Sequence, residues 1–194
     1  MSVELIYIES KEEMEKGNGG RLIMKHEALR LYEYHVWANE KVFERLQEVP
    51  EGVSEQEVPS VFPTITQTLA HMLKTDYVWL LAMKGESYEE VGQKVGVLLQ
   101  ELKGKNVHEL RKLFAESAQQ FRDFFGQISM DDTSPYTHPA LGTVHARYAD
   151  IVQHIANHGT YHRGNISAML RQMGHAGASS DYIFYLFETS AVEQ

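Results

Sequence analysis

The sequence predicts an all-α protein built as a four-helix bundle. Two observations predict this fold: four long segments carry apolar residues at alternating spacings of three and four, and turns rich in glycine or proline separate them. The chain has 194 residues, 43% of them hydrophobic and 23% charged, so it is long enough to bury a core of its own. We therefore expect four amphipathic helices that bury their apolar stripes against one another.

The first two helices are the most sharply bounded. The first begins near Leu29 and ends at the turn formed by residues 50–52, and Asn39 fills a position of its stripe where an apolar side chain is expected. The second follows residues 60–63 and continues through Met83 to a stop at Gly85. Its apolar face is interrupted by Asp76, so this carboxyl group is a candidate functional residue.

The second half of the chain is predicted to contain a weakly specified connection and two long helices. Glycines at positions 92, 96 and 104 indicate a weakly specified connection, although residues 95–102 could add a short helix or strand. A third long helix is expected from Val107 to about Ile128, followed by a loop over residues 130–142. A fourth helix is expected from about Thr143 to Met173.

The two ends of the chain differ from the predicted bundle. Residues 1–23 end in a glycine-rich stretch that cannot continue a helix, so we interpret them as an N-terminal appendage. The working domain is expected to comprise residues 24–194. Residues 182–187 are apolar and aromatic, and we expect them to pack on the bundle or on a second subunit.

Composition excludes several classes of function. The formal net charge of -9 repels a phosphate backbone, so no nucleic-acid partner is expected. No apolar run approaches the length of a membrane span, and Glu4 stands where a signal peptide would be apolar, so we expect no membrane association and a cytoplasmic location. The absence of cysteine suits that compartment and means that any thiol chemistry must use a sulfur from a cosubstrate.

Three histidines on the fourth predicted helix form the most informative pattern. His154, His158 and His162 are spaced four apart and project from one side of the helix. Extending the apolar stripe of this helix places His158 and His162 on its inward face. Two buried imidazoles one turn apart can share a metal ion, which also satisfies their polar nitrogens. His154 lies on the flank of the stripe and is expected beside the site or on the surface.

A catalytic metal site normally has a third protein ligand. His71 on the second helix is the best candidate, although its periodicity places it away from the centre of the apolar arc. The other six histidines fall in helix flanks or loops, where surface positions are expected. They are His26, His35, His108, His138, His145 and His175.

Three segments together resemble the DinB family, which belongs to the DinB and YfiT-like metalloenzymes. They are residues 34–39 (YHVWAN), residues 68–72 (TLAHM) with Asp76 and Trp79 following, and residues 154–164 (HIANHGTYHRG). The resemblance extends from about Met24 to Leu186 and includes residues 180–183 (SDYI) near the end. It leaves the first 23 residues unaccounted for.

The resemblance implies both a fold and a metal site. It implies an up-down-down-up bundle that is a homodimer, with a divalent metal ion bound by His71, His158 and His162. Members take their name from damage-inducible genes, and related branches use low-molecular-weight thiols in isomerase or S-transferase reactions. The family name implies no DNA binding.

Three functions remain open for such a site. A metal ion with three neutral ligands can activate a thiol cosubstrate, which predicts an S-transferase acting on a small molecule. With water as the nucleophile, the protein would be a hydrolase with Asp76 as the base and Asn39 as a polar contact. A fourth ligand, His154, would instead favour a non-catalytic, stress-related metal-binding dimer. Three imidazoles accept zinc, nickel, copper or iron, and we favour zinc or nickel.

Overall fold

The computed structural model describes residues 26–190, and this part of the chain is mostly helical. It contains six α-helices, one two-stranded antiparallel sheet and a single 3-10 turn at Val53–Glu55. The helices are α1 (Glu27–Gln47), α2 (Ile65–Met83), α3 (Tyr88–Glu101), α4 (Val107–Phe125), α5 (Tyr148–Gln172) and α6 (Tyr182–Ser190), and the strands are β1 (Thr133–His138) and β2 (Gly142–Arg147). The all-α expectation is thus confirmed in general. The appendage expected at residues 1–23 lies outside the described residues.

The long helices pack through two apolar clusters that lie at opposite ends of α1, α2 and α5. One cluster includes Phe43, Leu69 and Ile166, and the other includes Tyr32, Leu80 and Ile155. The helix α5 packs on α1 and α2, and α4 also contacts α1 and α2. Between the two clusters, the same three helices contribute buried polar residues. The functional candidates lie in this polar layer.

Polar side chains fix where the helices begin. The Thr64 hydroxyl accepts a hydrogen bond from the backbone N–H of Gln67 at the start of α2. Asn106 and Glu109 form a reciprocal capping box at the start of α4. These caps satisfy N–H groups that have no partner within the helix, and they help to place both helices in register with the core.

The connection between α2 and α4 contains a regular helix rather than a weakly specified segment. Ser87 and Glu90 form a capping box that starts α3, and Val91 is its one buried residue. Gly92 and Gly96 lie on open surface, where a side chain would meet nothing within 4 Å. The two glycines weaken the helix signal but obstruct no packing, and the cap with the Val91 contact is enough to order the segment.

The expected loop over residues 130–142 and the start of the fourth helix both need correction. Residues 133–138 and 142–147 form an antiparallel hairpin, and α5 begins at Tyr148 rather than near Thr143. Pro135 is compatible with β1 because a two-stranded sheet leaves each strand an unpaired edge. Gly142 has a φ of 83°, a left-handed conformation that glycine adopts readily at a turn. The third helix also ends earlier than expected, at Phe125.

The C-terminal helix packs on α1, as one of the two expectations for this segment states. The Tyr34 and Tyr182 rings lie edge to face with centroids 4.9 Å apart, and the Tyr34 hydroxyl donates to the backbone oxygen of Ser180 at 3.0 Å. The Trp37 indole donates to Glu188 at 2.9 Å. These contacts bury Tyr185 and leave the opposite side of α6 in solvent.

No helix in the described range 26–190 is long and apolar enough to cross a membrane. The longest, α5, has 25 residues and carries charged or titratable side chains along its whole length.

A close approach of α1 to α5 occurs at Gly159. A Cβ atom at this position would lie 2.5 Å from two atoms of the His35 ring and 2.7 Å from Arg163 Nη1. His35 and Arg163 are both buried, so neither side chain can move away into solvent. The missing side chain of Gly159 therefore makes room for the polar layer.

We predict that Gly159→Ala destabilises the protein although alanine favours helices. Displacing buried side chains should lower the free energy of unfolding by about 1–3 kcal/mol, which exceeds the gain in helix propensity of about 1 kcal/mol. Gly164→Ala is the matched control in the same helix, because a Cβ there meets nothing within 4 Å, and it should be neutral or stabilising. Urea denaturation of both variants measures the difference. Equal stability of the two variants would contradict the proposed close packing.

Candidate metal centre

Three histidines from two helices converge at one point. His71 projects from α2, and His158 and His162 project from successive turns of α5. His158 Nε2 lies 3.2 Å from His71 Nε2 and 3.1 Å from His162 Nε2. One potential ligand atom from each residue lies within 4.8 Å of the other two. Tetrahedral coordination at about 2.0–2.1 Å separates two nitrogens by about 3.3 Å, so these spacings are close to those of ligands that share one ion.

Hydrogen bonding alone cannot satisfy this arrangement. Each nitrogen of a neutral imidazole has either one proton or one lone pair, both in the plane of the ring. His158 Nε2 faces two other imidazole nitrogens, so it can form one well-directed hydrogen bond but not two. A cation among the three nitrogens would use all three lone pairs at once. The cluster therefore has the donor set of a site that could hold a metal ion.

Burial keeps these histidines neutral. Desolvation, with the nearby Lys74 ammonium and His162, lowers the pKa of His71 to about 4. Desolvation and the neighbouring histidines lower the pKa of His158 to about 3. The pKa of His162 is also lowered by desolvation. A metal ion binds the unprotonated imidazole, so at neutral pH it would displace no proton from these side chains.

Aromatic rings surround the cluster on its outer side. The Phe62 ring centroid lies 4.6 Å from that of His71, and Tyr161, which is exposed, lies 4.9 Å from His162. His71 and His158 are only partly buried, whereas His162 is 3% exposed. The cluster thus lies between the core and the surface. The Nδ1 atoms of His158 and His162 have no hydrogen-bond partner among the described residues.

His154 is not part of the convergent group. Its ring packs against Trp79 with centroids 4.8 Å apart and is stacked at 6.1 Å from the His158 ring. Among residues 26–190, the one cluster that could hold a metal consists of His71, His158 and His162. His154 therefore lies beside the site, at the position where the flank of the stripe places it.

A buried hydrogen-bond network lies in the same polar layer and joins three helices. Asp76 Oδ2 of α2 lies 3.1 Å from His35 Nε2 of α1. Arg163 of α5 places Nη1 3.4 Å from His35 Nδ1 and donates to Asn39 Oδ1 at 2.9 Å. Since guanidinium is only a donor, the Arg163 contact assigns His35 Nδ1 as the acceptor and its Nε2–H as the donor to Asp76. Asn39 Nδ2, which is also a donor, lies 3.0 Å from the same Nε2 and forms no hydrogen bond with it in this tautomer. The network links the helix that carries His71 to the helix that carries the other two histidines.

The Arg163 side chain is 1% exposed and has no carboxylate partner within salt-bridge distance among the described residues. Its Nη2 donates to Thr160 at 2.8 Å. Desolvation lowers the pKa of the guanidinium, while Tyr34 and Asp76 act in the opposite direction. The long-range attraction of Asp76 and several neutral acceptors thus stabilise a charge that burial alone would disfavour.

The structure places His35, Asp76 and Asn39 together in the buried network. The expectation that His35 lies on the surface is wrong, because its side chain is 2% exposed and bonded to Asp76. Asp76 and Asn39, the two expected catalytic groups, lie together in the buried network with His35. The i, i+4 spacing of His35 and Asn39 on one helix face is a signal that could have identified this pair.

The fold and the site define a mostly helical protein with a three-histidine cluster that could hold a metal ion. The DinB family model matches residues 24–194. Protein DinB of Bacillus subtilis (strain 168) is 37% identical over 163 residues, which cover 84% of this chain and 95% of that protein. The chain belongs to the DinB family, and the resemblance seen in the sequence is confirmed.

We predict that Asp76→Ala strongly destabilises the protein. The change leaves the His35 Nε2–H without its acceptor and removes the buried negative charge nearest to Arg163, which should lower the free energy of unfolding by about 3 kcal/mol. Asp123→Ala on the exposed face of α4 is the control and should change stability little, because the Asp123 carboxylate accepts only from the exposed Gln119 amide among the described residues. Chemical denaturation compares the two. A loss at Asp76 no larger than that at Asp123 would show that the network is not a stabilising unit.

Proposed function

We propose that the protein is a metal-dependent enzyme whose divalent ion is held by His71, His158 and His162. The observation that carries this proposal is the convergence of three Nε2 atoms that cannot satisfy one another by hydrogen bonds. The low pKa values of His71 and His158 support it, because both side chains are ready to bind a cation at neutral pH. Zinc or nickel is the proposed metal, since both accept imidazole ligands.

Removing either histidine of α5 should abolish stoichiometric metal binding. We expect about one equivalent of zinc or nickel in the unmodified protein and far less in His158→Ala and His162→Ala, because two remaining ligands hold an ion weakly. His71→Ala should behave in the same way. The helical circular dichroism should persist, because the two apolar clusters carry most of the packing. Elemental analysis after removal of excess metal gives the stoichiometry.

His154→Ala is the matched control for these variants. It removes an imidazole from the same face of α5, one turn before His158, but His154 is outside the convergent group. We expect it to retain the metal. If His154→Ala lost the ion while His158→Ala and His162→Ala kept it, the proposed ligand set would be wrong.

The proposed reaction is transfer of a low-molecular-weight thiol to a small electrophilic substrate. A divalent ion held by three neutral imidazoles keeps its full charge and supplies a Lewis acid that favours the thiolate form of a bound thiol. The chain has no cysteine, so the sulfur has to come from a soluble cosubstrate. His71, His158 and His162 hold the ion, and Phe62 and Tyr161 supply apolar contact surface at the exposed side of the site.

In this proposal Asp76 and Asn39 position other groups rather than contact the substrate. Asp76 Oδ2 faces His35, and Asn39 accepts from Arg163, so both side chains have buried partners. The hydrolase alternative would use Asp76 as a base for water, and its Oδ1, which has no partner among the described residues, supports that possibility. The closed site of a purely structural metal protein is less favoured, because His154 stands outside the cluster.

Conjugation assays distinguish these functions. Metal-loaded protein should conjugate a low-molecular-weight thiol to a chromogenic electrophile, and activity should vanish in His158→Ala and after chelation. Turnover of esters or amides without added thiol would support the hydrolase instead. Absence of both reactions across a panel of thiols, electrophiles and esters, with the metal still bound, would favour a binding role and contradict the proposed enzyme.

The proposal also covers the arrangement of the helices, the oligomeric state and the cellular location of the protein. We propose that α1, α2, α4 and α5 form an up-down-down-up four-helix bundle within a working domain of residues 24–194, which the contacts of α5 and α4 with both α1 and α2 support. We also propose that the protein is a cytoplasmic homodimer that acts in a response to stress or damage. The exposed apolar side of α6 supports a dimer, since Phe184 and Phe187 are 43% and 68% exposed.

A further inference from the structure

A cavity of about 700 Å³ lies between α1 and α4, closed at one side by α6. Its volume is in the range of small-molecule sites. None of the three clustered histidines lines it, so it is a separate feature from the candidate metal centre. The helix α4 forms one wall and contributes no residue to the histidine cluster.

Two residues that line the cavity carry buried polar atoms without a hydrogen-bond partner among the described residues. Asp76 and Ser117 both line the cavity, and they are 4% and 9% exposed, respectively. Asp76 Oδ1 and Ser117 Oγ are buried and have no hydrogen-bond partner among the described residues. A buried polar atom without a partner lowers stability, so such atoms next to a cavity indicate that something else supplies the partner.

The walls of the cavity are mainly aromatic and aliphatic. Tyr32, Phe43 and Phe114 line it together with Trp37 and Ala118. Among the charged residues of the lining, Glu33 accepts two hydrogen bonds from Arg122 and Glu40 pairs with Arg111, while Lys112 has no carboxylate partner within salt-bridge distance among the described residues. The cavity therefore combines apolar walls with an unpaired carboxylate oxygen and an unpaired hydroxyl in its lining residues.

We propose that this cavity is a binding site for a small, mainly apolar molecule with a hydrogen-bond donor at one end. The donor, an amine or a hydroxyl group, pairs with Asp76 Oδ1, and Ser117 Oγ contacts the same polar end. The apolar body of the ligand lies against the rings of α1 and α4. A carboxylate in place of the donor is disfavoured beside Asp76, because it would bring a second negative charge against that side chain.

Three probes that share a phenylethyl body test this proposal: phenethylamine, phenethyl alcohol and phenylpropionate. Each is titrated into the whole protein at neutral pH, and the backbone amide shifts are followed by nuclear magnetic resonance. The amine and the alcohol should bind at millimolar concentrations and shift amides of α1 and α4. Phenylpropionate should bind at least about tenfold more weakly. Equal binding of all three probes, shifts that map elsewhere, or no binding by any probe would overturn the proposal.

Variants place the probe within the cavity. Ala118→Phe fills the space and should weaken amine binding about tenfold or more, whereas Ala168→Phe on the exposed side of α5 should leave it unchanged. Should Ala118→Phe not fold, Ser117→Ala replaces it, because loss of an unpartnered hydroxyl leaves the fold intact. Ser117→Ala should weaken alcohol binding several-fold, and unchanged binding in the folded variants would contradict the assigned site. Metal content measured in parallel separates this result from the proposed function.

Discussion

The arrangement of His158 Nε2 between two other imidazole nitrogens is the constraint on which the site depends. An imidazole nitrogen has one direction in which to donate or accept, yet two nitrogens face this one at 3.1 and 3.2 Å. Protonation would not relieve the conflict, because an Nε2–H also points in one direction, and desolvation opposes the positive charge. A divalent cation would satisfy all three lone pairs and would bring its own charge to a partly exposed site. The same geometry supports the proposed chemistry, since three neutral ligands leave positions open for a cosubstrate.

The buried network of Asp76, His35 and Arg163 explains how two helices hold the three imidazoles in place. His71 and Asp76 lie five residues apart on α2, and His162 and Arg163 are neighbours on α5, so each end of the network lies on a helix that carries a histidine of the cluster. The His35 ring joins the two ends from α1. Gly159 provides the space for this ring, because a side chain there would overlap it. Polar contacts of this kind are directional, and they fix the rotation of helices more strictly than apolar packing does.

The sequence predicted the residues of the cluster to different extents. His158 and His162 followed from periodicity, because the apolar stripe of their helix passes through both positions. His71 was supported mainly by the resemblance to the DinB family, since its own periodicity placed it away from the apolar arc, and it lies partly buried beside His158. Periodicity describes one helix at a time and does not reveal which residues on two helices meet.

The same limit explains what the sequence did not predict. His35 was expected at the surface, yet it is buried and bonded to partners that are distant in the chain. The hairpin over residues 133–147 depends on pairing between two short, largely exposed strands, for which an alternating pattern is weak. The helix α3 begins at a capping box that outweighs its two glycines.

X-ray absorption spectroscopy of the zinc-loaded protein tests directly whether three imidazoles bind one metal ion. The coordination shell should contain three imidazole nitrogens at about 2.0–2.1 Å together with oxygen donors and no sulfur from the protein. Addition of a low-molecular-weight thiol should then introduce one sulfur at about 2.3 Å. A shell with fewer than three imidazoles, or one composed of carboxylate oxygens, would contradict the account, because the ion would then lie outside the histidine cluster.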